Sequence, residues 1–192
     1  MKKLERSDIM ENPEYEKVRD DFRARVMAIK DARRVAVGPY LNFLFENRDT
    51  MHYQIQEMMR VERITEEEAI AHEIKTYNGL IPGAGELSAT LLIEIDNPNV
   101  RDFKLRELVG LDEQVFLLID RDYQIQAKFD DMQFNTEKMS SVQYIRFELG
   151  EQGAEALKNT DSVEFLTTHP ACSYRMSLSA RQIAALKEDL QA

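Results

Sequence analysis

The sequence predicts an α+β protein: an N-terminal helical portion, with a helical hairpin, packed on a mainly antiparallel β-sheet and followed by a C-terminal helix. Three observations point there. Apolar residues recur at three-and-four spacing over residues 12–31 and again over 49–78, which is the period of a helix with one buried face. After Pro82-Gly83-Ala84-Gly85 the texture changes to short apolar and alternating runs between turn residues, as strands require. A capped helical pattern returns near residue 180. The 192 residues suit one domain, 1–192, in which 1–82 is mainly helical with a short β-hairpin near 35–46 and 86–192 carries the sheet and the last helix. The 83–85 loop is the natural boundary between the two parts.

Asn12 reads as a helix cap with Pro13 in the first turn. Tyr15, Val18, Phe22, Val26 and Ile29 then form one apolar face of a helix ending near 31–34. Val35 and Val37 alternate, Gly38-Pro39 breaks the chain, and Leu41, Phe43 and Phe45 alternate again. That is a hairpin, with a short helix over 41–45 as the rival reading. Asn47 can cap a helix over 49–62. At about 100° per residue Met51, Ile55, Met58 and Met59 share a stripe with Glu62; His52 lies on one edge, Gln54 and Glu57 toward the other. Thr65 and Glu68 have the spacing of a capping box, opening a helix with Ile70, Ile74 and Tyr77 on one face, Glu73 beside them and His72 opposite. Gly79 and Pro82 stop it, and the two helices are expected to pair antiparallel. Further on, 87–95, 114–119, 141–149, 163–167 and 174–178 read as strands. The run 123–129 forms a hairpin strand after a turn at Arg121-Asp122. Residues 101–108 and 150–158 read as short helices, and Ser179 with Gln182 opens a final helix reaching about 190.

Composition excludes several functions. The formal net charge is −10, which repels phosphate backbones and anionic lipid, so neither nucleic acid nor membrane is an expected partner. Arg33-Arg34 reads as the solvated end of an element. The chain has one cysteine, Cys172. It therefore forms no internal disulfide and holds no iron–sulfur cluster or cysteine-based zinc site alone. A reducing cytoplasm fits. The opening Met1-Lys2-Lys3-Leu4-Glu5-Arg6 is followed by no apolar run, unlike a secretory leader, and no window approaches the ~18 apolar residues of a membrane span.

Nucleotide-binding motifs are absent: there is no glycine-rich dinucleotide fingerprint and no P-loop lysine. Glu-x-x-His, which a carboxylate-bridged di-iron bundle uses twice, does not occur, nor does His-Glu-x-x-His or Gly-x-Ser-x-Gly. What remains is a loose constellation. Glu57, Glu62 and Glu73 could converge between the two helices with His52 at the rim, a donor set suited to a metal. A carboxyl on an apolar face could also serve as acid or base. The reading we favour pairs these acids with Arg48, Arg60 and Arg63, Glu57 and Arg60 being three apart. His72 is expected on a solvated face. His169 and Cys172 could form a nucleophile pair, but between two strands a buried inert thiol is the favoured reading. The methionine stripe is expected to be core before partner groove.

Several segments together resemble a known family. They are Arg33-Arg34-Val35-x-Val37-Gly38-Pro39, Phe45-Glu46-Asn47-Arg48-x-Thr50, and Gln54-Ile55-Gln56-Glu57-Met58-x-Arg60-x-Glu62-Arg63. To these add His72-Glu73-x-x-x-Tyr77-Asn78-x-Leu80-Ile81-Pro82, Glu86-Leu87-Ser88-Ala89-Thr90-Leu91 and Ser141-Val142-Gln143-Tyr144-Ile145-Arg146-Phe147. The chain is similar over nearly its whole length to a bacterial family of about this size catalogued as a domain of unknown function. The resemblance carries no catalytic residues. It implies a context, since similar proteins are often encoded beside a rubrerythrin and an iron–sulfur protein resembling heterodisulfide reductase subunits.

The expectation is therefore a cytoplasmic, non-enzymatic accessory or binding protein of a redox or peroxide-defence gene cluster. Its hairpin, 47–82, is the expected partner or ligand surface, with Gln54, Glu57, Arg60, Glu62, Glu73 and Tyr77 as binding residues and a rubrerythrin or iron–sulfur protein as candidate partner. The alternative is a small metal-dependent or acid/base enzyme whose carboxylate-rich site lies between 49–62 and 66–78, with His52, Glu57, Glu62 and Glu73 as candidate ligands. A third reading is a homodimer joined through the methionine stripe.

Overall fold

The computed structural model describes residues 1–120, 122–130 and 137–191. In chain order its helices are α1 (Asn12–Asp31), α2 (Arg48–Glu62), α3 (Glu67–Asn78), α4 (Pro98–Glu107), α5 (Gly150–Asn159) and α6 (Ala180–Asp189). Its strands are β1 (Arg34–Val37), β2 (Leu41–Glu46), β3 (Glu86–Ile93), β4 (Val115–Ile119), β5 (Tyr123–Gln126), β6 (Lys128–Phe129), β7 (Val142–Glu148), β8 (Val163–His169) and β9 (Cys172–Ser177). Short 3-10 turns occupy Arg6–Asp8 and Leu111–Glu113. The α+β class and the C-terminal helix are as the sequence predicts. Of the expected Arg121-Asp122 turn, Arg121 lies outside the described residues.

The strands form two antiparallel sheets, one in the order β1-β2-β3-β7-β6 and one in the order β5-β4-β8-β9. The run 123–129, expected as one strand, divides at Ala127: β5 pairs with β4 in one sheet and β6 with β7 in the other. Strand alternation decides what each face carries. The inner face of the five-stranded sheet bears Val35, Val37, Leu41, Phe43, Phe45, Leu91, Ile145 and Phe147, all buried. Phe43 stacks on Phe165 of β8 at 4.3 Å between ring centroids, and Phe147 meets the same ring edge-on at 5.7 Å. The main core thus lies between the sheets, closed by Leu105 and Leu108 near α4, Leu157 of α5, and Ile183 and Leu186 of α6.

The N-terminal helices build two smaller cores. Tyr15, Phe22 and Val26 of α1 pack with Tyr53 of α2, while Val18 of the expected apolar face is exposed. Met51, Ile55 and Met59 of α2 pack with Ile70 and Ile74 of α3 and with Leu4, Ile9 and Ile81. Met51 and Met59 are therefore core residues, and Met58 is half-buried.

Caps set the register of these helices. Asn47 accepts from the Thr50 amide at 3.0 Å while the Thr50 hydroxyl accepts from the Asn47 amide at 2.9 Å, a reciprocal box that starts α2 directly after β2. Ser179 and Gln182 form the second expected box. Two caps differ from expectation. Asn12 is the first helical residue, not the cap, and its amide donates to the carbonyls of Met59 and Ile64, both at 3.1 Å, closing the C-terminal end of α2. Thr65 does not cap α3; Glu66 occupies that position without a side-chain bond. The reason is upstream: Arg63 ends α2 in the left-handed region at φ 55° and the Ile64 amide returns to the Met59 carbonyl, which delays the start of α3. Arg33 is also not solvated. It is buried and forms a two-pronged ion pair with Asp189 of α6, whereas Arg34 is exposed.

Candidate functional site

The outer face of the five-stranded sheet carries a row formed by cross-strand partners. Arg34 faces Leu44, Leu44 faces Thr90, and Thr90 faces Tyr144. Glu46 is two residues beyond Leu44 and shares that face. Because Asn47 turns the chain straight into α2, this end of the sheet is roofed by α2 and the end of α3. The roof leaves a cavity of about 230 Å³. Leu44, Met51, Leu80, Leu92 and Val142 give it apolar walls; Lys30, Arg34, Glu46, Gln54, Tyr77, Thr90 and Tyr144 supply its polar groups.

Glu46 is the unusual member. It is only 4 % exposed. Its Oε1 accepts from the Thr90 hydroxyl at 2.6 Å. Its Oε2 is buried with no hydrogen-bond partner, a state that costs free energy unless something satisfies it. Thr50 stands beside the carboxyl but spends its own proton on the Asn47 carbonyl at 3.1 Å. Burial pushes the Glu46 carboxyl above the ordinary carboxylate range, with Thr50, Thr90, Lys30 and Arg33 opposing that rise. Burial also lowers Lys30, against the pull of the Glu46 charge. The Tyr77 hydroxyl is raised by burial, with Gln54 beside it acting the other way, and Tyr144 is raised by burial and by Glu46.

The structure separates the residues that the sequence grouped. Gln54 and Tyr77 line the cavity. Glu57 instead faces α1: it accepts from the Tyr15 hydroxyl at 2.8 Å and from Arg19 at 2.8 and 2.9 Å, and these donors hold it below the usual carboxylate range. Arg60 lies 3.6 Å from Glu57 and 3.5 Å from Glu16. Glu62 is exposed and Glu73 half-buried. The convergence imagined for Glu57, Glu62 and Glu73 is therefore not the arrangement found, because α1 occupies the side of α2 that Glu57 faces. The His52 ring is edge-on to Phe22 at 5.1 Å, and burial lowers its pKa. Among the described residues no three His, Cys, Asp or Glu side chains are placed to hold a metal ion. His72 is exposed. His169 contacts the Val109 carbonyl through Nε2 and accepts from the Ala171 amide through Nδ1, each at 3.2 Å. Cys172 is buried, which pushes its thiol up to about 11.

A wider hollow of about 540 Å³ adjoins the cavity through Leu80 and Tyr144. Its cations are already engaged: Lys128 pairs with Glu148, and Arg146 with Glu86 at 3.2 Å. No motif or spacing marks Glu46 as a site residue. A signal was present: an outward-facing acid followed without spacer by a capped helix must lie under that helix.

Comparison with known proteins adds a family. The chain matches the family described as "Protein of unknown function (DUF3501)" over residues 3–190. No curated protein matches it. A crystal structure of a "novel protein of unknown function" from Burkholderia pseudomallei K96243 is similar at 35% identity, covering 98% of this chain and 100% of that one, with a TM-score of 0.92. No helix among the described residues is long and apolar enough to cross a membrane.

Proposed function

Since the chain belongs to the family described as Protein of unknown function (DUF3501), we propose that it is a non-enzymatic binding protein whose ligand seat is the cavity beneath α2 and α3. The observation that carries this reading is the Glu46 carboxyl, buried with one oxygen unsatisfied in a cavity where apolar walls meet convergent polar groups. Ligand seats are built that way. Gln54 and Tyr77 contribute from the hairpin 47–82. Glu57 and Arg60 position α2 against α1; exposed Glu62 and half-buried Glu73 lie outside the cavity lining.

The seat is tested by filling it. A panel of small anionic, neutral and cationic compounds is scored by the shift in melting temperature of the wild-type chain and of Gln54→Trp. At least one class is expected to raise the wild-type midpoint and to leave the folded variant unmoved. No response to any class, or an equal response in both proteins, overturns the reading.

The finer role is that of an accessory, in the cytoplasm, to a redox or peroxide-defence system that includes a rubrerythrin or an iron–sulfur protein. Its support is the family resemblance. A pull-down from a native host that recovers neither counts against it.

A further inference from the structure

The seat has a charge preference. The acidic group on its lining is Glu46, 4 % exposed; Lys30 of α1 and Arg34 of β1 stand on the lining as two cations. Among the described residues the other charges that face it are few. Arg33, just before β1, acts on Glu46 but is spent on Asp189. Glu94, beyond β3, lies 3.8 Å from Arg34 on the exposed side, too far for a tight pair. Glu73 of α3, outside the lining, acts on Tyr77. Gln54 from α2 and Tyr144 from β7 bring no formal charge at neutral pH. In a chain of net charge −10, a cavity lined by two cations and one deeply buried carboxyl is a local exception.

Building on the reading of this cavity as a ligand seat, we infer that its ligand is a small organic carboxylate with a short apolar body. The carboxylate lies toward Lys30 and Arg34, and one of its oxygens accepts a hydrogen bond from the protonated Oε2 of Glu46. The apolar body lies along Leu44, Met51 and Leu92. This arrangement satisfies the unpaired oxygen and sets the ligand's charge beside Lys30 and Arg34, where an amine would sit against two like charges. A cavity of about 230 Å³ limits the ligand to a short chain or a single ring. No bond is made or broken; the Glu46 proton stays on Glu46 as a hydrogen-bond donor.

Hexanoate, hexan-1-ol and hexylamine share a body and differ in head group. Isothermal titration of the full chain is expected to show hexanoate at least about tenfold tighter than the alcohol, the scale of one charge-assisted hydrogen bond, and the amine weakest. Lys30→Met is expected to erase that preference and leave the alcohol unchanged; Arg34→Met, at an exposed position, gives the same test with little risk to folding. Hexanoate affinity is expected to fall as pH rises through the raised Glu46 pKa, because the donor is lost, and Glu46→Gln, a permanent donor, is expected to keep only the part of that slope due to Lys30. Equal or tighter binding of the amine or alcohol overturns the carboxylate assignment and leaves the seat standing. If none of the three binds, the seat itself falls.

Discussion

Arg33 and Asp189, 156 residues apart, hold each other in a buried two-pronged pair, with Nη2 donating to Oδ1 at 2.8 Å. Their side chains are 4 % and 3 % exposed. Arg33 also donates to the Ala185 carbonyl at 3.3 Å, so the pair fastens α6 to the start of β1. Breaking such a pair leaves one charge buried and alone, at a cost of about 3–5 kcal/mol. Asp189→Asn and Arg33→Met should each lower the unfolding free energy by that scale. The double variant Arg33→Met with Asp189→Leu should recover most of the loss, since neither charge then remains. A double-variant cycle in urea measures this; additive losses would show that the pair is not what holds α6.

Glu46 makes stability depend on pH with a definite sign. Its folded pKa lies above the unfolded value, so between the two the folded chain holds the extra proton. Stability is therefore lost as pH rises from the unfolded value through the folded one. Glu46→Gln removes the titration. The variant should gain on the wild type steadily over that window, with little difference at acid pH. Parallel urea titrations from about pH 4 to pH 8 check it.

The turn between β1 and β2 ties the two sheets together. Gly38 adopts φ +67°, and a Cβ there would overlap the ring of Tyr174 on β9. Gly38→Ala is expected to cost about 3 kcal/mol, from left-handed backbone and overpacking together. Adding Tyr174→Ala should return only the packing share. A thermal melt of the single and double variants separates the two.

These three sites also mark what the chain shows when read along its length. The Gly38 hairpin, the Asn47 and Ser179 caps and most strands were legible, because each depends on alternation or on residues three apart. The Arg33 partner was not, since nothing near residue 33 announces an acid at 189. Asn12 misled as a cap because its amide is drawn to the distant carbonyls of Met59 and Ile64. Of the residues lining the cavity, Gln54 and Tyr77 are ones their helix faces point to. Glu46 needed the roof: its burial is set by α2 folding over the sheet, a relationship between elements.

Cys172 should be chemically silent in the folded chain. It is 1 % exposed and its thiol is pushed up to about 11, so little thiolate exists at neutral pH. A disulfide reagent at about pH 8 is expected to label it only as the chain opens, with a rate that rises with urea in step with unfolding. Prompt labelling of the native protein would place a reactive group where the structure has none.

Glu57 gives the opposite pH sign to Glu46. Arg19 and the Tyr15 hydroxyl hold its folded pKa below the unfolded value, so its contribution is present above the unfolded value and is lost as pH falls through the folded one. The Glu57 side chain is 17 % exposed and that of Arg19 24 %, so solvent screens part of the attraction and the loss on Glu57→Gln should be about 1–2 kcal/mol near neutrality. In acid, where the wild-type carboxyl is itself neutral, the two proteins should converge. Tyr15→Phe deletes one donor only and should cost less, while leaving the Arg19 pair and the acid convergence in place. A difference between Glu57→Gln and wild type that persists unchanged into acid would mean that shape at the α1–α2 contact, and not charge, sets the strength of this joint.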